Sequence, residues 1–288
     1  MKKLLRYFLI LVIIFAAISV GGRLLFPRHK AAPKIIPKPE ETITILEGWT
    51  DRQIGQYFES LGKWQSEELL EAVGFPQVDY RRAKDLPPLK DYATQFSFLK
   101  DKPEYYSLEG YLFPDTYRIY ASSTVTDVVV KMLDNFDHKL TPQMRSDIKA
   151  QGKTIYQIIT MASIIEKEAP LDYTTGDDQD AKIISGIFWH RLKIGQALQS
   201  DATLSYILGD TNTQHSGKDL DNPSLYNTYK YPGLPPGPIC NPGKLAIEAA
   251  IYPTPTNYNY FLTPPDKKIV IYARTYAEHL QNKYKYLK

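Results

Sequence analysis

Apolar side chains recur every three or four residues along most of the chain, and this spacing predicts helices that bury one face. Many of these runs begin after Ser or Thr, whose hydroxyl oxygen accepts a hydrogen bond from a free backbone N–H group. Several end at glycine, which adopts the left-handed backbone of a helix end without a steric penalty. The predicted helices are residues 51–62, 66–74, 123–140, 141–152, 154–169, 178–195, 198–209, 244–253 and 275–288.

Short segments rich in β-branched and aromatic residues predict a smaller amount of strand. Residues 42–49 form one such segment, and residues 257–263 and 267–273 are expected to pair as a hairpin. A mainly helical chain with a few short strands is typical of the α+β fold class. We therefore predict a mainly helical domain that carries small β elements.

The amino terminus combines a basic start with an apolar run. Three basic residues precede sixteen uncharged residues, 7–22, and a short apolar stretch resumes after Arg23. A spanning helix needs about 20 apolar residues, and long arginine side chains can extend a shorter run. Residues 1–26 are therefore expected to form an uncleaved single-pass transmembrane anchor. A cleaved signal peptide is the alternative.

The segment after the apolar run, residues 27–40, contains four prolines and is predicted to be a stiff, extended tether. Basic residues lie on both sides of the apolar run. The Lys and Arg count alone would place the body of the protein in the cytoplasm. The side of the membrane therefore has to be decided by the later motifs.

Composition and charge exclude several classes of protein. The chain has 288 residues, of which 43% are hydrophobic and 23% charged, and this is ordinary globular composition. The net charge of +3 is too small to indicate a nucleic-acid partner. A single cysteine excludes a disulfide framework. The 22 tyrosines suit either core packing or contacts with sugar-like ligands.

The strongest candidates for chemistry are Glu166 and Glu168, near the end of the predicted helix 154–169. At 100° per residue, Lys167 points away from the apolar stripe of this helix, and the two glutamates lie on its edges. A carboxyl at such an edge is partly desolvated, which raises its pKa and favours the protonated form that a general acid needs. This geometry does not choose between the two glutamates, and solvated helix residues are the alternative.

Three other segments carry candidate binding residues. Residues 226–243 are rich in proline and glycine, so they form either one rigid wall of a groove or a structural connection. Residues 109–117 are dense in aromatic side chains, and a core strand is the alternative there. The segment 198–203 opens a helix. The candidate substrate-binding residues are Glu109, Tyr111, Asp115, Tyr117, Gln199, Asp201, Asn227, Thr228, Tyr229 and Asn241. No metal-ligand spacing and no phosphate-binding loop accompany them.

Six motifs together resemble the endolytic murein transglycosylases, the MltG or YceG-like family. They occur in the order and with the spacing of that family, over roughly residues 108–287. The motifs are EGYLFPDTY, MASIIEKEA, GIFWHRLKIGQALQSDAT, NTYKYPGLPPGPICNPG, AAIYPTP and YAEH.

The resemblance implies an enzyme of the bacterial cytoplasmic membrane whose catalytic domain lies outside the cytoplasm. It implies endolytic cleavage of the β-1,4 bond between N-acetylmuramic acid and N-acetylglucosamine in nascent peptidoglycan, with 1,6-anhydro ends and termination of glycan elongation. The second glutamate of the Glu-Lys-Glu motif, Glu168, is the implied catalytic residue, and Glu166 is secondary. No cofactor or metal is implied. The implied partners are glycan strands, the cytoplasmic membrane and peptidoglycan synthases, without nucleic acid.

The front of the chain departs from the family pattern. Family members carry a fuller LysM-like region between anchor and catalytic part, whereas only the strand–helix unit of about residues 42–62 is present here. We therefore expect a reduced LysM-like subdomain over residues 41–106 and the catalytic domain over residues 107–288. Glycan binding by the front subdomain is left open.

Two other functions compete with this interpretation. A pyridoxal-phosphate lyase of the aminodeoxychorismate lyase type would need a Schiff-base lysine, yet Lys167 points away from the apolar stripe. A non-catalytic wall-binding or scaffold protein of the same fold is the other alternative. If the chain is the glycan-cleaving enzyme, we expect residues 109–117 and 226–243 to form walls of a sugar groove beside Glu168, with partly exposed side chains.

Overall fold

The computed structural model describes residues 1–25, 39–210, 215–264 and 269–287. The chain divides into two compact units, Met1–Pro39 and Glu40–Lys288. The predicted proline-rich tether lies largely outside the described residues, because residues 26–38 fall between the ranges.

Among the described residues of the first unit, Lys2–Leu25 form the helix α1. Its side chains up to residue 18 are exposed, including Phe8, Leu11 and Phe15. In the part of the chain that the structure describes, no helix reaches the combination of length and apolar character that a bilayer crossing requires.

Within the residues that the structure describes, the second unit is mainly helical and carries two small sheets, which agrees with the predicted α+β class. Its helices, numbered along the chain, are α2 (Asp51–Ser60), α3 (Ser66–Val73), α4 (Val125–Lys139), α5 (Pro142–Ala150), α6 (Ile155–Glu168), α7 (Gln179–Lys193), α8 (Asp201–Leu208), α9 (Gly217–Leu220), α10 (Lys244–Ile251) and α11 (Tyr276–Tyr286). A short 3₁₀ turn covers Ser97–Leu99.

The predicted helix starts are confirmed where a threonine side chain caps the first turn. Thr50, Thr124, Thr141 and Thr154 each accept a hydrogen bond from the backbone N–H group three residues on. Ser66, at the start of the predicted helix 66–74, is not the cap that a serine in this place indicates. It is the first helical residue of α3, and Gln65 occupies the cap position. Because capping is local chemistry, the sequence predicts most of these starts correctly.

Both sheets consist of two antiparallel strands. β1 (Glu40–Thr44) pairs with β2 (Thr116–Tyr120), with Thr42 opposite Arg118. This pairing joins residues on both sides of the predicted boundary at residue 106. The predicted carboxy-terminal hairpin is confirmed as β3 (Tyr260–Leu262) and β4 (Ile271–Ala273).

Helix α6 lies at the centre of the second unit and packs against α5, α7, α8 and α10. Every residue from Ile158 to Ile165 is buried, so most of the helix is enclosed rather than amphipathic. Two of those residues are polar, and both back-bond within the helix: Thr160 donates to Tyr156 O and Ser163 donates to Thr160 O. The enclosure fixes α6 rigidly, which in turn fixes the side chains at its carboxy-terminal end.

Asn241 joins three distant segments through its buried side-chain amide, which is 0% exposed. Its Nδ2 donates to Trp49 O at 3.0 Å and to Asp51 Oδ1 at 2.9 Å. Its Oδ1 accepts from Gly110 N at 3.0 Å and from Leu112 N at 2.8 Å. The amide therefore uses both donors and both acceptor positions, as a buried polar group must to avoid a desolvation penalty.

The polar cluster around Asn241 includes two buried carboxyls. Asp51 is 0% exposed and Glu109 is 3% exposed, and Asp51 N donates to Glu109 Oε1 at 3.0 Å. Burial raises the pKa of Asp51 to about 7, although the hydrogen bond from Asn241 acts in the opposite direction. Burial, reinforced by the nearby Asp51 carboxyl, also raises the pKa of Glu109. The pair is thus most stable when it holds at least one proton.

This buried pair predicts a pH dependence of stability. Both carboxyls bind protons more tightly in the folded protein than in the unfolded chain, so the free energy of unfolding should rise as pH falls from 8 to 5. In Asp51→Asn, this rise should be smaller by about 1–3 kcal/mol, because up to about two pKa units of the displacement fall within this pH range. Urea unfolding of wild type and variant at both pH values measures the difference.

The exposed Glu71 of α3 supplies the control for that measurement. Glu71→Gln removes a carboxyl of the same subdomain without touching the buried pair, so its pH dependence should match that of wild type. If the free energy of unfolding changed equally with pH in Asp51→Asn and in Glu71→Gln, the buried pair would not be the source of the pH dependence.

Candidate active site

The last turn of α6 presents Glu166, Lys167 and Glu168. Lys167 is exposed and both glutamates are partly buried, which confirms the positions predicted from helical geometry. The helix ends at Glu168, and Ala169 takes an extended backbone before Pro170. Since Ile158–Ile165 are buried, the two carboxyls lie at the end of a rigidly held segment, and they face different surroundings on opposite edges of the helix.

Glu168 lies against the start of α8. Ser200 Oγ donates to Glu168 Oε1 at 2.5 Å, and Ala202 N approaches the same oxygen at 3.4 Å. Burial raises the pKa of Glu168, while these two hydrogen bonds oppose the rise. Asp201 adds a smaller increase and Arg191 a smaller decrease. The net effect favours the protonated carboxyl more than water would.

The segment before α8 is anchored by Thr228 of the proline-rich loop. Gln199 has a φ of 54°, in the left-handed region that is uncommon for a residue other than glycine. Its N–H group donates to Thr228 O at 3.1 Å, and Ser200 N donates to Thr228 Oγ1 at 3.0 Å. These bonds hold the strained turn and aim the Ser200 side chain at Glu168.

A second contact ties the proline-rich loop to α8. Tyr229 Oη donates to Asp201 Oδ1 at 2.7 Å, and both side chains are partly exposed. Tyr229 is close enough to Glu168 for the two groups to interact electrostatically. The partly exposed neighbours of Glu168 on this side therefore include an aromatic face and a carboxylate.

Glu166 is held on the other edge of α6. Tyr173 Oη donates to Glu166 Oε2 at 2.5 Å, and Gly243 N donates to the same oxygen at 3.0 Å. Burial raises the pKa of Glu166 to about 7 despite these bonds, and the nearby Glu47 carboxylate adds to the increase. A Cβ at Gly243 would lie 2.4 Å from Tyr173 Oη, so only glycine permits this approach.

The turn after β1 also lies at the edge of α6 that carries Glu166. A Cβ at Gly48 would lie 3.4 Å from Glu166 Cγ and 3.3 Å from Lys167 Nζ, so the turn after β1 passes directly beside the Glu-Lys-Glu motif. A cleft of about 310 Å³ opens next to it. It is lined by Thr44, Ile45, Leu46, Glu47, Phe113, Pro114, Asp115, Thr116, Lys139, Tyr173 and Lys244.

The structure brings four predicted site residues to the Glu168 side of α6: Gln199, Asp201, Thr228 and Tyr229. Gln199 is exposed, Asp201 and Tyr229 are partly exposed, and Thr228 is buried. Thr228 therefore supports the segment before α8 from within.

The expectation of partly exposed side chains is wrong for most of the other predicted residues. Glu109 and Asn241 belong to the buried polar cluster described above. Tyr111 is 0% exposed and packs on Phe98, and Tyr117 is 4% exposed with its hydroxyl donating to Phe113 O. These aromatic side chains fill the core, which was the alternative for this segment.

Asn227 and Asp115 have partners within the protein. Asn227 is 0% exposed, and its Nδ2 donates to Leu220 O and Asn222 O, both at 2.9 Å. Asp115 is partly exposed at the cleft and forms an ion pair with Lys139 at 2.9 Å. The Asn227 side chain therefore holds the backbone around it in place, whereas Asp115 lines the cleft described above.

Sequence reasoning missed two polar contacts of the glutamates, Ser200 and Tyr173. Ser200 precedes α8, where a cap is the ordinary role of serine, but its side chain makes no cap hydrogen bond and reaches Glu168 instead. Tyr173 was one of 22 tyrosines with no distinguishing neighbour. No local pattern marks either residue, because each contact depends on how α6 packs.

Comparison with known proteins places the chain among relatives of known name. The profile of the YceG-like family matches residues 27–285. The endolytic murein transglycosylase of Bacillus subtilis strain 168 is 32% identical over 245 residues, which cover 85% of this chain and 65% of that protein. The protein of the same name from Streptococcus pneumoniae serotype 2 strain D39 is 34% identical over 250 residues, covering 84% of this chain and 44% of the relative.

A solved structure agrees with these matches. The crystal structure of a YceG-like protein from Listeria monocytogenes superposes with a TM-score of 0.68 at 32% identity, over 85% of this chain and 76% of that one. This chain spans less than two thirds of the length of the Bacillus and Streptococcus relatives. Since the family profile covers nearly the whole sequence, the chain belongs to the YceG-like family.

Proposed function

We propose that this protein is an endolytic lytic transglycosylase of peptidoglycan. The observation that carries the proposal is Glu168, a carboxyl at the rigid end of α6 whose pKa is raised by burial and whose Oε1 accepts from Ser200. A carboxyl whose pKa is raised keeps its proton more readily than one in water, so it can give a proton to the substrate and take one back once it is ionised. The names of the Bacillus and Streptococcus relatives supply the substrate class.

In the proposed reaction, Glu168 first protonates the oxygen that links N-acetylmuramic acid to N-acetylglucosamine. The bond from this oxygen to C1 of the muramic residue breaks, and the departing sugar keeps the proton as a hydroxyl. The carboxylate of Glu168 then removes the proton from the C6 hydroxyl of the same muramic residue. The C6 oxygen closes on C1 and leaves a 1,6-anhydro end.

The proposed reaction needs one carboxyl because its nucleophile belongs to the substrate. Glycosidases that use water usually need two carboxyl groups, one as acid and one as base or nucleophile. A nucleophile within the same sugar ring has the entropic advantage of a tethered group. Water is not consumed, and neither a metal nor an organic cofactor takes part.

Glu166 has the secondary role in this proposal. Tyr173 and Gly243 both donate to its Oε2, and its pKa of about 7 makes its charge sensitive to pH in the physiological range. A change of charge at Glu166 alters the field at the end of α6, where Glu168 lies. Glu166 thus modulates the reaction rather than carrying the proton.

The cellular setting is part of the same proposal. Nascent glycan strands lie outside the cytoplasmic membrane, so the second unit would face that side, held by residues 1–26 as an uncleaved anchor. Peptidoglycan synthases would supply the strands. The front subdomain, a reduced LysM-like element in this proposal, would line the site at Gly48 rather than act as a separate glycan-binding module.

The central test replaces the two glutamates one at a time. Glu168→Gln keeps the shape of the side chain but cannot cycle a proton, so turnover of uncrosslinked glycan strands should fall at least ~10²-fold. Glu166→Gln should lower turnover by a smaller factor. Mass spectrometry of the products measures both rates and identifies anhydro ends, which are lighter than hydrolysed ends by one water molecule.

Lys167→Gln is the matched control, because Lys167 is the exposed residue between the two glutamates. It should keep most of the wild-type turnover. Wild-type turnover by Glu168→Gln would reject the assignment, and hydrolysed ends would reject the lytic reaction. A folded wild-type protein with no turnover would favour a wall-binding or scaffold function.

The proline-rich loop leads to a second prediction, which distinguishes a residue that stabilises the fold, Asn227, from one that contributes to turnover, Tyr229. Asn227→Ala leaves the carbonyls of Leu220 and Asn222 without their donor, so the protein should lose about 1–3 kcal/mol of stability. Tyr229→Phe removes only the partly exposed hydroxyl on Asp201, so it should melt near the wild-type temperature and lose several-fold in turnover. Thermal unfolding followed by the glycan assay distinguishes them, and early melting of both variants would make Tyr229 purely structural.

The proposed topology predicts the behaviour of reporters fused after Lys288. An enzyme that is active only outside the cytoplasm should be active in this fusion, and one that is active only in the cytoplasm should be silent. The same pair of reporters fused to residues 40–288 alone provides the control, because that chain lacks the proposed anchor. Activity of the cytoplasmic reporter on the full chain would overturn the placement.

A further inference from the structure

We propose that Ser200 is a positioning residue: its hydroxyl holds Oε1 of Glu168, so that Oε2 is the oxygen that gives and takes the proton. This inference rests on the proposed function and deepens it. It assigns a role to a residue that the sequence placed only at the start of a helix. One oxygen of the Glu168 carboxyl is held in place, and the other takes part in the reaction.

The first support is the division of hydrogen bonds on the carboxyl. Ser200 Oγ and Ala202 N both approach Oε1, at 2.5 Å and 3.4 Å. Both hydrogen bonds that Glu168 accepts within the described ranges end on this oxygen. Two donors on one oxygen fix the rotation of the carboxyl group, and therefore the direction in which Oε2 points.

The second support is that Ser200 is itself held at both of its backbone groups. Ser200 N donates to Thr228 Oγ1 at 3.0 Å, and Thr203 Oγ1 donates to Ser200 O at 2.8 Å. The two threonine hydroxyls lie 2.9 Å apart. Thr203 has one hydroxyl proton and gives it to Ser200 O, so Thr228 is the donor in the contact between the threonines.

These bonds form a closed circuit. It runs from Ser200 N to Thr228 Oγ1, on to Thr203 Oγ1, and back to Ser200 O. All three residues are at most 2% exposed, so water does not compete for the bonds. Hydrogen bonds at its N–H and its C=O fix the backbone of Ser200 and the position of its Cβ atom. From this fixed position, its single hydroxyl proton is donated to Glu168.

The packing also explains why a serine hydroxyl suits a carboxyl that changes its charge. A hydroxyl is a donor to the carboxylate and can remain in contact with the protonated acid. The ionisable groups that face Glu168 are Asp201 at the start of α8, Arg191 on α7, and Tyr229 of the proline-rich loop, whose hydroxyl is neutral. The hydroxyl of Ser200 donates to Glu168 itself, and it stabilises the carboxylate that forms after the first proton transfer.

The test is Ser200→Ala, measured in the full chain on uncrosslinked glycan strands across a range of pH. Without the hydroxyl, the carboxylate loses a donor, so the pKa of Glu168 rises and the basic limb of the kcat/KM profile moves to higher pH. Because Oε2 is no longer aimed, kcat falls roughly 10-fold or more, a part of what acid–base catalysis contributes. Ser200→Thr keeps a hydroxyl and should restore the wild-type limb.

Ser185→Ala is the matched control. Ser185 is 0% exposed on α7, and its Oγ has no hydrogen-bond partner among the described residues. The variant removes a buried serine hydroxyl in the same unit without touching Glu168, and it should leave the pH profile in place. A Ser200→Ala variant that loses activity with an unmoved basic limb, as loss of packing would produce, overturns the proposal.

A readout without turnover separates this inference from the proposed function. The side-chain carboxyl carbon of Glu168, assigned by comparison with Glu168→Gln, can be titrated by ¹³C NMR in the purified full chain. We expect its midpoint to be higher in Ser200→Ala than in wild type and in Ser185→Ala. Equal midpoints would overturn the role of Ser200 even if the enzyme is active. If the Glu168 midpoint is higher in Ser200→Ala but the wild-type protein shows no turnover, the contact between Ser200 and Glu168 is supported and the proposed reaction is rejected.

Discussion

A buried amide has to satisfy both of its donors and its acceptor, and Asn241 does so by joining three segments that are far apart in the sequence. Its partners lie at Trp49 and Asp51 after β1, and at Gly110 and Leu112 before β2. An unsatisfied polar group in this position would cost about 1–3 kcal/mol. The amide therefore fixes the end of the proline-rich loop against the front of the unit, and the site is built on that junction.

The junction leaves two carboxyls at the end of α6 in different surroundings. Burial raises the pKa of both, but Glu166 is held by the Tyr173 hydroxyl and the Gly243 N–H group, whereas Glu168 is held by Ser200. One helix thus carries two titrating groups that belong to two networks. The two glutamates reach different networks because each residue of an α-helix is rotated by about 100° from the one before it, so that side chains two residues apart point to opposite edges.

Local chemistry explains why the elements could be predicted. Threonine caps, glycine ends and apolar spacing act within a few residues, so they appear in the sequence as they act in the fold. Exposure could not be predicted in the same way. Tyr111 and Tyr117 are suited to contacts with sugar rings, but both side chains pack in the core. The sequence cannot distinguish these two roles, because an aromatic face contacts a carbohydrate and a neighbouring phenylalanine by the same apolar surface.

The sequence by itself determined the α+β class, the helix that carries Glu166 and Glu168, and the edge positions of these two residues, because each depends on spacing along the chain. Only the tertiary structure decided which polar residues reach them. Ser200 lies 32 residues beyond Glu168, and its contact exists because α6 packs against α8. Such contacts depend on the packing of whole elements, and no pattern within one element records them.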